Sequence, residues 1–443
     1  MRSFVNKDCL FYQVIEEMRE AEFVACTTDF WTSVANDSYI GVTAHFIGED
    51  FTLKHRLLCL RKYSSDKTGD NIRNTFTAII VEWQFQDKLE AVVTDAAANC
   101  IKAFEKSNFE HITCNAHNLH NAVCHALKLE TVESLMKSVR AIVGHFKHSS
   151  KQEEKLKNKQ QSLGKPVSKL QQEVVTRWNS TFNMIDSILD NEESVDSVLK
   201  ESKKHSDLQL AKSQWKQLRA FHDVLVQPAQ ITEQMSGSSY PTMSLIWPMF
   251  TTLVSNLDAV KGVARAFADT IAAGIRQRNG NFSSVSVEVL SSALDPRFKA
   301  LSFVKDSLRA EVYRTILKLL KNIDNHEPMP KKSKQNQQQY ALFGLDAPVE
   351  SSPAEVEWKS YLSEESPGLS VSCLSWWAVN KNRYPRLAVL ARKYLCVPAT
   401  SVPSEQLFSH AGDTITKKRN ALKPEHAELL IFVSDNYKHY YEL

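Results

Sequence analysis

Asp29 and Asp95 each close a short run of strand-forming residues: Glu22-Phe23-Val24-Ala25-Cys26-Thr27-Thr28 precedes the first, and Leu89-Glu90-Ala91-Val92-Val93-Thr94 the second. They lie 66 residues apart. Carboxylates at the ends of adjacent strands can converge on two divalent cations about 4 Å apart, the arrangement that two-metal phosphoryl transfer requires. Mg2+ favours such hard oxygen ligands. Aspartates at strand ends are also ordinary turn residues, so periodicity leaves both readings open and does not select a third acid.

The surrounding pattern supplies the elements that would hold these acids. Residues 1–20 read as a helical lead-in. A strand ends at Asp29, and Asn36-Asp37-Ser38 forms a turn. Residues 39–47 are apolar and β-branched, Gly48-Glu49-Asp50 turns again, and residues 51–60 form a third strand. These three strands predict an antiparallel meander. Ile72, Phe76, Ile79, Ile80 and Trp83 recur at helical spacing. Strands at 89–94 and 109–113 and a helix at 118–127 complete the order β-β-β-α-β-α-β-α. That order predicts an α/β domain of residues 21–128 with a mixed sheet, and it is the ribonuclease-H-like pattern.

From 129 to 365 the character becomes all-α. Val132, Leu135, Met136, Val139, Val143 and Phe146 form one helical stripe, and Trp215, Leu218, Phe221 and Leu225 another. Residues 151–165 are rich in Lys and Gln and read as an exposed helix end or loop. Residues 327–353, with Pro-Lys-Lys-Ser-Lys-Gln-Asn-Gln-Gln-Gln, read as a disordered linker. Residues 370–443 are compact again. Helices are expected at Trp376-Trp377, from Tyr384-Pro385, from Ser404 and from Pro424.

Composition narrows the function classes. The 443 residues carry 54 Lys+Arg against 51 Asp+Glu, a net charge of +3. This excludes a polycation, so any nucleic-acid contact must come from local basic patches. Only 12 Gly are present, which argues against a glycine-loop nucleotide cofactor site. Eight Cys run from Cys9 to Cys396 without a Cys-x-x-Cys pair, as expected of a reducing compartment. Neither a signal peptide nor an apolar run long enough to span a membrane is visible.

Six segments occur in order: Thr27-Thr28-Asp29-Phe30-Trp31, Val93-Thr94-Asp95-Ala96-Ala97-Ala98-Asn99, Cys114-Asn115-Ala116-His117, Arg177-Trp178-Asn179-Ser180, Leu294-Asp295-Pro296-Arg297-Phe298, and Pro403-Ser404-Glu405-Gln406-Leu407-Phe408-Ser409. Together they resemble the hAT superfamily of cut-and-paste DNA transposases, and within it the BED-zinc-finger branch that includes domesticated host proteins. The resemblance implies a ribonuclease-H-like domain interrupted by the large all-helical insertion, with C-terminal dimerisation helices over 370–443. It implies Asp29, Asp95 and Glu405 as catalytic acids holding Mg2+ or Mn2+. Ser404 is expected to cap the Glu405 helix, where a carboxylate faces the helix dipole.

The resemblance gives roles to further residues. His117 would contact the scissile phosphate while Cys114 packs. A zinc site with His120, Cys124 and His125 is the rival reading, although zinc ligands come as two separated pairs. Arg177 would neutralise a phosphate and Trp178 would hold an extruded base; polar Thr176, Asn179 and Ser180 suggest that the indole lies outside the deep core. Lys417, Lys418 and Arg419 are candidate DNA contacts, or a solvated surface run. Trp376, Trp377, Tyr384, Leu387, Leu407 and Phe408 supply apolar material for a homodimer interface, part of it needed for the protomer's own core. The BED finger of such proteins is not found in this chain. The implied protein is nuclear and DNA-binding, either a transposase or a non-cleaving transcription regulator. SUMO ligation, assigned to some relatives, would rest on analogy alone.

Overall fold

The computed structural model describes residues 7–33, 36–174, 177–201, 203–324, 352–414 and 424–441. Its elements run α1 (Lys7–Glu20), β1 (Val24–Thr32), β2 (Ser38–Ile47), β3 (Leu53–Lys62), α2 (Gly69–Glu82), β4 (Leu89–Thr94), α3 (Ala98–Phe104) and β5 (Glu110–Thr113). Helices α4 (Asn115–Leu127), α5 (Glu130–Lys147), α6 (Ser150–Ser162), α7 (Trp178–Asp190), α8 (Glu192–Lys200), α9 (Lys212–Met235), α10 (Met243–Ala259) and α11 (Arg265–Arg278) follow. The last seven are α12 (Val287–Leu294), α13 (Asp306–Asp324), α14 (Pro353–Ser363), α15 (Cys373–Asn380), α16 (Pro385–Leu395), α17 (Val402–Thr414) and α18 (Pro424–Tyr441).

The chain forms two compact units. The first comprises Met1–Cys114, Met235–Pro248 and Ser283–Leu443; the second comprises Asn115–Gln234 and Met249–Phe282. These divisions differ from the segment 129–365 expected from the sequence: α4 goes with the second unit, and α12 to α14 with the first. The greater part of the expected linker, 327–351, lies outside the described residues.

The first unit is built on a five-stranded mixed sheet in the order β3-β2-β1-β4-β5. β1, β2 and β3 form the antiparallel meander, while β4 runs parallel to β1 and β5 parallel to β4. Helix α2 begins at Thr68, whose hydroxyl accepts from the Asn71 N–H. It buries the stripe Ile72, Phe76, Ile79 and Ile80. At the other end of the chain, Asn436 on α18 pairs with the backbone of β3: its Oδ1 accepts from the Leu57 N–H at 3.2 Å and its Nδ2 donates to the Leu57 carbonyl at 2.9 Å. The β2/β3 register shifts beside this point, between Val42 and Thr43, and the amide of Asn436 serves the backbone there.

The segment Leu294-Asp295-Pro296-Arg297-Phe298 is a structural hub of the same unit. Asp295 is fully buried and accepts from the Arg297 guanidinium at 2.9 and 2.7 Å and from the Ser244 hydroxyl at 2.8 Å. The Leu294 carbonyl takes the Trp377 indole N–H at 2.9 Å. The buried Lys299 ammonium donates to the Tyr361 carbonyl at 2.7 Å.

In the second unit, α4 and α11 pack so closely that a Cβ at Gly274 would come within 2.9 Å of the Ala122 methyl. The lysine-rich residues expected as an exposed end or loop largely form α6, capped by Ser149 and burying Leu156 and Gln160.

Candidate active site and its supports

The sheet pairs the two strands that lead to the acids. Thr27 on β1 is level with Val93 on the parallel strand β4. Asp29 and Asp95 each follow two residues after this last paired position, Asp29 still within β1 and Asp95 just past the end of β4. Both are partly exposed. The Asp29 carboxylate accepts from the Phe30 N–H at 2.7 Å, and that of Asp95 from the Ala97 N–H at 3.2 Å. Cys100, on α3, reports on both: burial first, and then the Asp95 and Asp29 carboxylates, push its thiol up, while Lys67 acts in the opposite direction. The two acids therefore share one neighbourhood.

Glu405 lies in the first turn of α17, and two buried ties fix that turn. The first runs through hydroxyls. Thr27 Oγ1 is 2.7 Å from Ser404 Oγ and 2.6 Å from Thr43 Oγ1, which in turn is 2.8 Å from His45 Nε2. All four side chains are buried. The second tie runs through Cys114, whose sulfur accepts from the Ser401 N–H at 3.3 Å and whose own N–H donates to the Thr94 carbonyl at 2.7 Å. Asp95 is the next residue after Thr94, and Glu405 lies four residues after Ser401. The Ser401 carbonyl accepts from the Ser404 and Glu405 N–H groups, which makes Ser401, not the expected Ser404, the cap of this helix. The Ser404 hydroxyl is spent on the strand instead.

A glycine permits the close approach of α17. Asp29 on β1 faces Gly41 on β2. A Cβ at Gly41 would come within 2.8 Å of Phe408 Cε1 and 3.2 Å of Leu407 Cδ2. The face bearing Thr27 and Asp29 is thus the face that α17 covers.

Beyond these ties lies a histidine cluster. His45 stacks on His55 at 6.3 Å, and His55 meets His439 edge-on at 4.6 Å. Burial, then His55, depresses His45 to about 3; burial, then His55 and Arg56, depresses His439 to about 4. These rings are neutral packing and hydrogen-bonding groups at neutral pH. His45 and His55 also line a cavity of about 230 Å3 with Gln406, Asp435 and Lys438. The hydroxyl chain and this cluster had no signal in the sequence beyond alternate β-strand positions.

Among the described residues, no group of three or more His, Cys, Asp or Glu side chains is spaced to hold a metal ion. The donor types at Asp29, Asp95 and Glu405 are nevertheless those that Mg2+ and Mn2+ take. On α4, Cys124 Sγ lies 3.4 Å from His120 Nε2; this contact is a pair, without the four ligands of a structural zinc site.

The other expected site residues fall in different places. His117 is half-buried in the first turn of α4, in the second unit. Arg177 is exposed at the start of α7. Trp178 corrects the expectation of a site outside the core. It is only 3% exposed and heads the buried stripe of Thr181, Met184, Ile185 and Ile188. Of its polar neighbours, Ser180 turns its hydroxyl back onto the Val174 and Arg177 carbonyls, while Thr176 lies outside the described residues. An indole held this way presents no free face to an extruded base. Lys417, Lys418 and Arg419 lie outside the described residues.

The expected interface residues also need correction. Trp377, Tyr384, Leu387, Leu407 and Phe408 are all buried within the protomer; Trp376 is half-buried and stacks on Tyr384 at 6.0 Å. Exposed apolar residues of the region are instead Leu369, Val371, Val379 and Leu430.

A mixed sheet with two acids in one neighbourhood, backed by C-terminal helices, matches what is known of other chains. Residues 27–121 match the ZBED1 RNase-like domain, 112–224 the ZBED1 RNase-like helical domain, and 357–437 the hAT family C-terminal dimerisation region. In these segments the chain is similar to the hAT superfamily of transposases and to their BED-zinc-finger relatives. It is 28% identical, over 92% of its length, to the "Putative AC transposase" of Zea mays, covering 56% of that protein. It is 23% identical over 96% of its length to the human "Zinc finger BED domain-containing protein 4", covering 38% of it. It is also 22% identical over 95% of its length to the "Putative transcriptional regulator tpeD" of Talaromyces stipitatus, covering 54% of that protein. The chain therefore spans about half the length of the curated relatives it matches.

Proposed function

We propose that this chain carries the catalytic core of an hAT-type, transposase-derived nuclear protein that binds DNA and cuts it. In this reading the sheet is ribonuclease-H-like, with the helical unit inserted into it, and Asp29, Asp95 and Glu405 are the acids that hold Mg2+ or Mn2+. The observation that carries it is the double fastening of the Glu405 helix: Ser404 to Thr27 on β1, and Ser401 to Cys114, whose N–H in turn holds the carbonyl of Thr94, the residue before Asp95.

When bound, the divalent cations would activate the nucleophile and neutralise charge at the phosphodiester. The protein's part is placement. Parallel pairing of β1 and β4 leads toward Asp29 and Asp95, the two ties hold the first turn of α17, and Glu405 would have to reach the aspartates from that turn. His117 and Arg177 are the DNA-phosphate contacts in this reading, with Lys417, Lys418 and Arg419. Trp178 is assigned to packing. A homodimer forms through the C-terminal region, which matches the hAT dimerisation family.

The test is nicking of supercoiled plasmid by the full chain with Mg2+ or Mn2+. The parent is expected to nick, and Asp29→Asn, Asp95→Asn and Glu405→Gln to lose nicking by 100-fold or more while keeping DNA affinity. Nicking by Asp95→Asn at the parent's rate would refute the assignment. The relative named as a transcriptional regulator favours a second reading, in which the protein binds DNA and dimerises without cutting. That reading predicts binding with no nicking under either metal.

A further inference from the structure

We infer that Lys67 is a DNA-phosphate contact that steers the phosphodiester backbone toward Asp29 and Asp95; this rests on the reading of those acids as a DNA-cutting site.

Two adjacent carboxylates repel a phosphate. A site that brings DNA to them needs fixed positive charge nearby, on a side chain that the acids do not neutralise. Lys67 meets that description. It lies in the turn between β3 and α2, and its side chain is exposed. Its ammonium sits 4.8 Å over the ring of Phe30, the residue whose N–H is bound by the Asp29 carboxylate. It is one of the charges, with Asp95 and Asp29, that act on the Cys100 thiol. Among the described residues it forms no ion pair, in contrast to its neighbours Arg61, Lys62 and Arg73, each of which meets a carboxylate.

The backbone that presents Lys67 is held in place. The Asn99 side chain, four residues after Asp95, donates to the Lys67 carbonyl at 3.0 Å. Tyr63 and Asn71 both donate to the Asp66 carbonyl, at 3.2 and 3.0 Å. Thr68 then caps α2. The Asn99 bond ties the turn to the first turn of α3, which starts three residues after Asp95, so the cation and that acid are placed by one piece of structure. A cation resting on an aromatic ring keeps its charge available to a third group, and a phosphate oxygen is the partner of matching charge. A single Lys on a ring reads no base sequence, so the contact is to the backbone.

The test uses the full chain and a random-sequence 30-base-pair duplex, with affinity read by fluorescence anisotropy from about 50 to 200 mM salt. Lys67→Ala should make the slope of log K against log salt less negative by about 0.9, as for one lost phosphate contact, and Lys67→Arg should restore it. The same samples are assayed for plasmid nicking beside Asp95→Asn. An unchanged slope in Lys67→Ala overturns the inference, even if the parent nicks and Asp95→Asn does not. A reduced slope restored by Arg supports the Lys67 contact even if no nicking is seen, in which case it is the cleavage reading that fails. A parent that binds no duplex at low salt overturns both. An equal melting temperature for Lys67→Ala and the parent ensures that the slope reports contact, not folding.

Discussion

The tie between Thr27 and Ser404 can be measured as a coupling energy. Thr27→Val keeps the side-chain shape and removes the hydroxyl. Thr43 retains His45 as a partner at 2.8 Å, but Ser404, fully buried, loses the Thr27 oxygen at 2.7 Å. Leaving one buried hydroxyl unsatisfied costs about 1–3 kcal/mol. The new methyl group cannot sit 2.6–2.7 Å from two oxygens, so repacking adds to that cost. Ser404→Ala is milder, because Thr27 keeps Thr43, and should cost about 0.5–1.5 kcal/mol, the net value of one hydrogen bond. In the double variant the orphaned hydroxyl is gone, so its cost should fall short of the sum by about 1 kcal/mol. The assay is urea unfolding of all four proteins with a common m-value. Additivity within about 0.5 kcal/mol, the range expected of independent sites, would show that the two residues do not communicate and would remove one of the two fastenings of α17.

Further outcomes follow from the same structure. Gly41→Ala should destabilise the protein by about 1–3 kcal/mol through overpacking and lower nicking with it, because its methyl would meet Phe408 at 2.8 Å; thermal melts and the plasmid assay check both. Asp295→Ala would leave the largely buried Arg297 guanidinium without its carboxylate and should cost about 3–5 kcal/mol, read by denaturant midpoint. Stability should also fall with acidification. Burial depresses His45 to about 3 from its ordinary 6.5, so the unfolded chain binds the extra proton between those values. The stabilisation is complete above about pH 6.5 and is lost as pH falls toward 3, at up to about 1.4 kcal/mol per pH unit. His45→Gln should flatten that slope in a pH series of melts.

The strands were legible because β-branched runs mark them directly: 39–47 and 89–94 fall where expected, whereas β1 runs past the expected end at Asp29 to Thr32 and Ser38 of the expected turn already begins β2. The helix bearing Glu405 was legible from Pro403-Ser404 and the family pattern. Its anchoring was not, because Thr27–Ser404 and Cys114–Ser401 join residues 377 and 287 positions apart, and no local periodicity records such pairings. Trp178 misled because polar neighbours at a helix start do not describe the face of the indole. The aromatic residues of 376–408 misled for a related reason: composition shows that apolar surface exists, while only packing shows that Trp377, Tyr384 and Phe408 are consumed inside one protomer. The division of the chain into units was hidden as well, since α12 to α14 are helices like those of the second unit yet belong with the sheet.

The most direct test of the central claim is anomalous diffraction from crystals of the full chain soaked in Mn2+. The account predicts a manganese peak between Asp29 and Asp95, with a Glu405 carboxylate oxygen among its ligands at about the 2.0–2.2 Å expected of a small divalent cation bound by carboxylates. Manganese bound by the two aspartates with Glu405 turned away, or bound elsewhere in the protein, would contradict it.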